Sequence, residues 1–192
     1  TNGGAMMKER LRPTLAVVCL LLTACLLWSR AAGSAAPTAA SLAGVPDGCW
    51  VWVDVHRKTL TLYRGTKAER VFTVATGAYA TPTPLGVYRV TSRFAGEMSG
   101  FGTRFLGINV PWGQYGIHGT NKPNSIGSNA SHGCIRMFVK DAEAVYAAVP
   151  NGARVVIEGG PYGRLDTYLR TLNAGDRNGH VAVVQERLRA LG

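Results

Sequence analysis

The segment CWVWVDVHRKTLTLYRG, Cys49 to Gly65, constrains the fold more than any other. Val51, Val53 and Val55 alternate with Trp52 and Asp54, and Leu60, Leu62 and Tyr63 follow a short polar turn at His56–Lys58. Period-two alternation lines one face of a strand, and two such runs joined by a tight turn read as a hairpin. The pattern continues in ERVFTVATG, ending at Gly77, in the strand residues Val87–Thr91, in TRFLGINV and YGIHG, and in RVVIEGG. Pro82 and Pro84 hold the entry to the Val87 strand extended. The chain contains 24 glycines in 192 residues, which suits tight turns between strands rather than a helical bundle. One helix is expected after the motif region, with Asp141 as its cap and Ala142, Val145, Tyr146 and Val149 on one face, stopped by Pro150–Gly152. These elements predict a mainly β, sandwich- or barrel-like domain over residues 49–160, with one short helix.

The first part of the chain has a different character. Met7, read as the start, opens the basic MKERLRP; TLAVVCLLLTACLLW then runs uncharged from Thr14 to Trp28, and small residues follow. Basic, apolar, then small is the order of a secretory signal. The run of 15 residues is short of the roughly 20 that span a bilayer. Residues 1–36 are therefore expected to be a signal or anchor and 37–48 a linker, with the protein exported to the cell wall or periplasm. LTAC, Leu22–Cys25, resembles a lipobox, so lipidation at Cys25 is the alternative to cleavage near Ala32–Ala36. Membrane contact is expected only through this segment.

Export leaves Cys49 and Cys134 in the mature part. Two cysteines are too few for a disulfide framework, although one Cys49–Cys134 bridge is the structural alternative. From Ala35 onward there are 17 Lys and Arg against 10 Asp and Glu. The basic residues are scattered, with no aromatic stripe between them. That argues against nucleic acid and for an anionic wall polymer or membrane surface.

Reactive residue types gather in IHGTNKPNSIGSNASHGCIRM, Ile117–Met137. A thiolate that attacks a carbonyl needs a base, an orienter for that base and N–H donors for the oxyanion. Cys134 is the plausible nucleophile, and Gly133 lets the backbone bend beside it. Either His118, sixteen positions earlier at the end of YGIHG, or His132, two positions away, could serve as base. The residues alone leave that choice open, though a histidine on a neighbouring strand can face the sulfur more squarely. A zinc site from His118, His132 and Cys134 lacks a fourth ligand and the usual paired spacings. The motif around Cys134 is not papain-like.

IHGT followed by SHGCIRM resembles the signature of the L,D-transpeptidase (YkuD-like) catalytic domain. VDVHRKTLTLYRG resembles that family's first hairpin and TPTPLGVYRV its Thr-Pro strand. The resemblance implies an enzyme of peptidoglycan that cleaves the bond between an L-centred third residue and the D-Ala of a stem peptide. An acyl-enzyme forms and an amine acceptor resolves it. It implies Cys134 as nucleophile and His118 as base; a neighbouring imidazolium favours the thiolate, so a lowered thiol pKa is expected. The Gly119 carbonyl would orient the His118 ring. Ser131, His132, Gly133 and Arg136 would line the substrate pocket, with the Gly133 and Cys134 amides as oxyanion hole. Water as acceptor, giving an L,D-carboxypeptidase, and a non-catalytic wall-binding module are the alternatives. No cofactor or metal is expected, and the protein is expected to be a monomer.

The last segment, residues 161–192, reads as a linker and then a short helix with Val181, Val184, Leu188 and Leu191 near one face. LNAGDRNGHVAVVQERLRALG resembles the opening of a three-helix peptidoglycan-binding module. The alternative is a terminal helix packed on the β domain. It carries none of the motif residues and is expected to be dispensable for the chemistry.

Overall fold

The computed structural model describes Pro37, Gly44 and residues 48–159 and 171–192. The expected signal, the lipobox-like LTAC and most of the expected linkers lie outside these residues. Ten strands form in chain order: β1 Cys49–Asp54, β2 Thr59–Arg64, β3 Lys67–Thr73, β4 Thr76–Gly77, β5 Gly86–Met98, β6 Gly102–Ile108, β7 Tyr115–Gly119, β8 Asn129–Ser131, β9 Ile135–Met137 and β10 Arg154–Glu158. Among the described residues the α-helices are Val139–Ala148 (α1) and Gly179–Leu191 (α2). The fold is mainly β, as the alternation predicts.

Eight strands make one mixed sheet in the order β3-β2-β1-β10-β5-β6-β7-β9, and β4 and β8 pair separately. The first hairpin forms where expected, with Val51 opposite Leu62 and Val53 opposite Leu60. Its inward valines and leucines join Val155 and Ile157 of β10 in the core. On the other face Trp50 stacks on its cross-strand partner Tyr63 at 4.5 Å, and the Trp52 indole donates to Glu158 at 2.8 Å. Both faces of β1 are therefore buried, which an amphipathic strand reading does not capture.

ERVFTVATG is interrupted. Val74 and Ala75 leave β3, and Ala75 exchanges backbone hydrogen bonds with Arg136 at 2.8 and 2.9 Å. The chain then continues as β4 beside the motif region. The Val87 strand is longer than predicted, because β5 serves two partners. Gly86–Arg89 pair with β10 and Val90–Met98 with β6, with register shifts between Val90 and Ser92 and between Ala95 and Met98. A strand that changes partner through an irregularity turns a corner in the sheet.

α1 begins at Val139 after Phe138, with no side-chain cap. Asp141 is not the cap: it sits in the first turn and pairs with Arg70 of β3 at 3.5 Å. An acid there still complements the helix dipole. Ala142, Val145 and Val149 are buried, as the helical spacing predicts.

α2 starts at Asn178, whose side-chain oxygen accepts from the amides of His180 and Val181 at 3.0 and 3.2 Å. This is an N-cap of the favoured type. The helix forms, but its expected apolar face does not bury, since Leu188 and Leu191 are exposed. The anchor is His180, which is fully buried with its ring edge-on to Tyr79 at 6.1 Å.

Candidate active site

The site follows from one pairing. β7 and β9 lie parallel, with Ile117 beside Ile135, His118 beside Arg136 and Gly119 beside Met137. Cys134, immediately before β9, falls level with Gly116. The Gly116 backbone amide lies close enough to its sulfur to favour the thiolate. His118 follows two residues later on the same face of β7, as strand periodicity requires. Fifteen residues of loop thus return a cysteine to the strand that carries the histidine. The other histidine of the segment, His132, is exposed.

His118 is 2% exposed, and its Nδ1 is hydrogen-bonded to the Gly119 carbonyl oxygen. A carbonyl can only accept, so Nδ1 carries the proton and Nε2 keeps its lone pair. Burial lowers the His118 pKa to about 4; the Gly119 carbonyl opposes this and the Arg136 charge adds to it. The imidazole is therefore neutral at neutral pH.

Burial pushes the Cys134 thiol up, against smaller lowering effects of the Gly116 N–H and the Arg136 charge. The expectation of a lowered thiol pKa is thus reversed. It rested on a neighbouring imidazolium, and the burial of His118 removes that charge. The resting pair is thiol and imidazole.

The turn before Cys134 is held by its own side chains. Ser131 is 2% exposed; its hydroxyl donates to the Cys134 carbonyl at 2.6 Å and accepts from the Gly133 N–H at 3.0 Å. Ser131 therefore shapes the loop that carries Cys134. The Gly133 amide, expected in the oxyanion hole, is committed to it. Gly133 has φ +111°, and a Cβ there would lie 2.5 Å from the Tyr115 ring and 3.3 Å from the Pro82 carbonyl oxygen. Only glycine fits that conformation and that space. Arg136 donates from Nη1 to the Ala130 carbonyl at 3.2 Å.

The small polar residues of the loop are a wiring diagram. The hydroxyls of Ser125 and Ser128 donate to the carbonyls of Lys122 and Ser125, each at 2.7 Å. Gly127 N–H reaches Val74 at 3.0 Å, and Thr76 N–H reaches Ser128 at 3.1 Å. On the far side, Ala78 N–H and the Thr81 hydroxyl both donate to the Ser131 carbonyl, at 2.9 and 3.1 Å. Thr83 closes that loop by accepting from Gly77 N–H at 2.8 Å.

Sequence reasoning missed Tyr115, which covers Gly133 and whose hydroxyl pKa is raised chiefly by burial. It also missed Phe101 and Phe105, whose rings lie 4.6 and 5.8 Å from the His118 ring. The available signal was Gly107 and Gly116 in strand interiors, where glycine marks a close approach. Cys49 is a buried free thiol, so the Cys49–Cys134 bridge is absent. Among the described residues no group of three or more His, Cys, Asp or Glu comes together.

Comparison with known proteins agrees with this arrangement. The family described as L,D-transpeptidase catalytic domain matches residues 49–157. A Bacillus subtilis protein assigned as the L,D-transpeptidase YkuD is 37% identical over 130 residues, 66% of this chain and 78% of that protein. L,D-transpeptidase 3 from Mycobacterium tuberculosis superposes with TM-score 0.53 at 20% identity over 58% of this chain. The chain spans 61% of that structure's length. The catalytic domain of the Enterococcus faecium L,D-transpeptidase is covered completely by 60% of this chain, with TM-score 0.51 and 22% identity. At such identities these two likenesses speak for the fold. Motif, sequence match and strand pairing together place this chain in the L,D-transpeptidase catalytic-domain family.

Proposed function

We propose that the protein is an exported cysteine L,D-transpeptidase acting on peptidoglycan stem peptides. The observation that carries this reading is the parallel β7–β9 pairing. It sets Cys134 against the Gly116 amide beside a histidine whose tautomer is fixed by Gly119. In this reading Cys134 is the nucleophile and His118 the general base. Arg136, within electrostatic reach of both, meets a substrate carboxylate; exposed His132 contributes to the rim.

The first step joins Cys134 Sγ to the carbonyl carbon of the L-centred diamino residue, while Nε2 of His118 takes the thiol proton. Proton transfer must accompany attack, because the resting pair is neutral. The oxyanion forms beside the Cys134 amide, the donor of the expected pair that Ser131 does not engage. Collapse breaks the bond to D-Ala, and His118 returns the proton to the departing amine. A second stem's amine attacks the thioester, gives its proton to His118 and releases Cys134 as a thiol. The Gly119 carbonyl fills the place of a triad carboxylate, orienting the ring without adding a negative charge.

The test is incubation of the exported domain with muropeptides, read by mass spectrometry. Loss of D-Ala, an acyl adduct on Cys134 and a cross-linked product are expected. Loss of D-Ala with only water as acceptor would make it a carboxypeptidase; no adduct and no turnover would leave a binding domain. Export, through cleavage or anchoring in residues 1–36, and wall binding by residues 161–192 belong to the same proposal. Secretion of a fusion carrying residues 1–48 tests the first. Sedimentation of the tail with wall sacculi tests the second.

A further inference from the structure

His118 is flanked by two phenylalanines that the motif does not contain. Phe105 on β6 is its direct cross-strand partner, with the rings nearly parallel at 18° and 5.8 Å apart. Phe101, in the turn between β5 and β6, lies at 4.6 Å with a 59° tilt. The rings also meet each other edge-on at 5.7 Å.

The backbone makes room for this arrangement. A Cβ on Gly116 would lie 2.5 Å from the Phe105 ring, and one on Gly107 would lie 3.3 Å from it. Two strands therefore forgo side chains where Phe105 lies. The turn holding Phe101 rests on the histidine's own orienter: Gly102 has φ +67°, and a Cβ there would fall 3.1 Å from Gly119 Cα. A Cβ on Gly119 would in turn lie 3.3 Å from the Phe101 carbonyl oxygen. Phe101 remains 39% exposed, so the structure keeps a large apolar ring at the surface at this point.

We propose that Phe101 and Phe105 are positioning residues for His118, an aromatic clamp that excludes water from the imidazole and holds its plane toward the Gly119 carbonyl. This rests on the reading of His118 as the base. An imidazole stripped of water is a poorer proton acceptor at rest, yet it stays unprotonated and ready over the whole neutral range. The low pKa of His118, chiefly a burial effect, agrees with such a clamp. The surrounding charges do not replace it. From β9, Arg136 acts in the same direction as burial, and the Gly119 carbonyl acts against it. Arg104 of β6 turns to the Tyr146 ring at 5.5 Å, and Glu143 of α1 accepts from Thr103 at 2.7 Å.

The test reads His118 directly in the substrate-free protein. The ring Cε1–H and Nδ1 signals are followed by NMR through a pH titration and assigned with His118→Gln. Phe101→Ala and Phe105→Ala should move the titration midpoint up from about 4 toward the ordinary 6.5. They should also weaken the Nδ1 tautomer preference and slow acylation about tenfold or more with little change in KM. Phe101→Leu and Phe105→Leu, which keep apolar cover, should hold the midpoint low. An unmoved midpoint in both alanine variants overturns the clamp. If Phe105→Ala does not fold, Phe101→Ala, on a surface turn, decides alone. Failure of the muropeptide assay would count against the transpeptidase reading and leave this titration intact.

Discussion

The loop from Thr120 to Cys134 and the tail from Thr171 to Gly192 are both surface segments, and they are attached in opposite ways. The loop is tied to its neighbours by backbone and hydroxyl hydrogen bonds at nearly every turn, and its last residues are fixed against β4 and the Gly77–Thr83 segment. The tail has a sound N-cap, one buried side chain in its first turn, and exposed leucines at its end. A segment that must place a sulfur beside a histidine needs many directional constraints. A segment that only has to dock can rely on one buried anchor, here the His180 ring.

The largest effect should come from the centre of the loop. Cys134→Ala should abolish product and acyl adduct while the thermal midpoint stays close to wild type. Adduct formation in that variant would move the nucleophile elsewhere. His118→Ala should cost about 10² to 10⁴ in acylation rate, the usual range for a general base. His132→Ala, at an exposed position, should cost far less. A larger loss at His132 in the same single-turnover assay would exchange the roles.

The loop's wiring predicts stability effects. Ser131→Ala removes a buried hydroxyl that serves one donor and one acceptor, and should cost about 1–3 kcal/mol in denaturant unfolding. Gly133→Ala combines a positive φ with a clash on Tyr115 and should destabilise by a comparable amount. Turnover should fall with both, because the turn carries Cys134. If either variant unfolds like wild type, the loop is less constrained than its hydrogen bonds imply.

The pH response follows from the burial of the pair. Iodoacetamide alkylation of Cys134 should rise with pH through an inflection above the ordinary thiol value of about 8.5. The sign is set by burial, which disfavours the thiolate. A plateau already reached at neutral pH would restore an ion pair.

The smallest effect should come from the tail. A chain ending at Gly160 should keep turnover on soluble muropeptides, with a lower thermal midpoint because His180 no longer packs on Tyr79. A large loss of turnover would show that Tyr79 transmits the docking into the Gly77–Thr83 brace.

The alternation in Cys49–Gly65 was enough to specify the first hairpin and its inward face, because period-two patterns act through neighbours in sequence. The motif likewise singled out Cys134, since thiol chemistry is a property of the residue itself, whereas the choice of His118 over His132 came from the family resemblance. Three things depended on the tertiary structure. The hydrogen bonds that tie Ser131 and the Gly133 amide into a closed turn were one, because their partners are chosen by the fold of the loop. The thiol's expected shift reversed, because burial is a property of the packed surroundings and no local pattern reports it. The aromatic cover of His118 was hidden too: Phe101 and Phe105 meet it only through the β6–β7 register and the turn that precedes β6. Interactions set by chemistry and short spacing can be read along the chain, whereas those set by register, burial and solvent exclusion exist only once distant strands are paired.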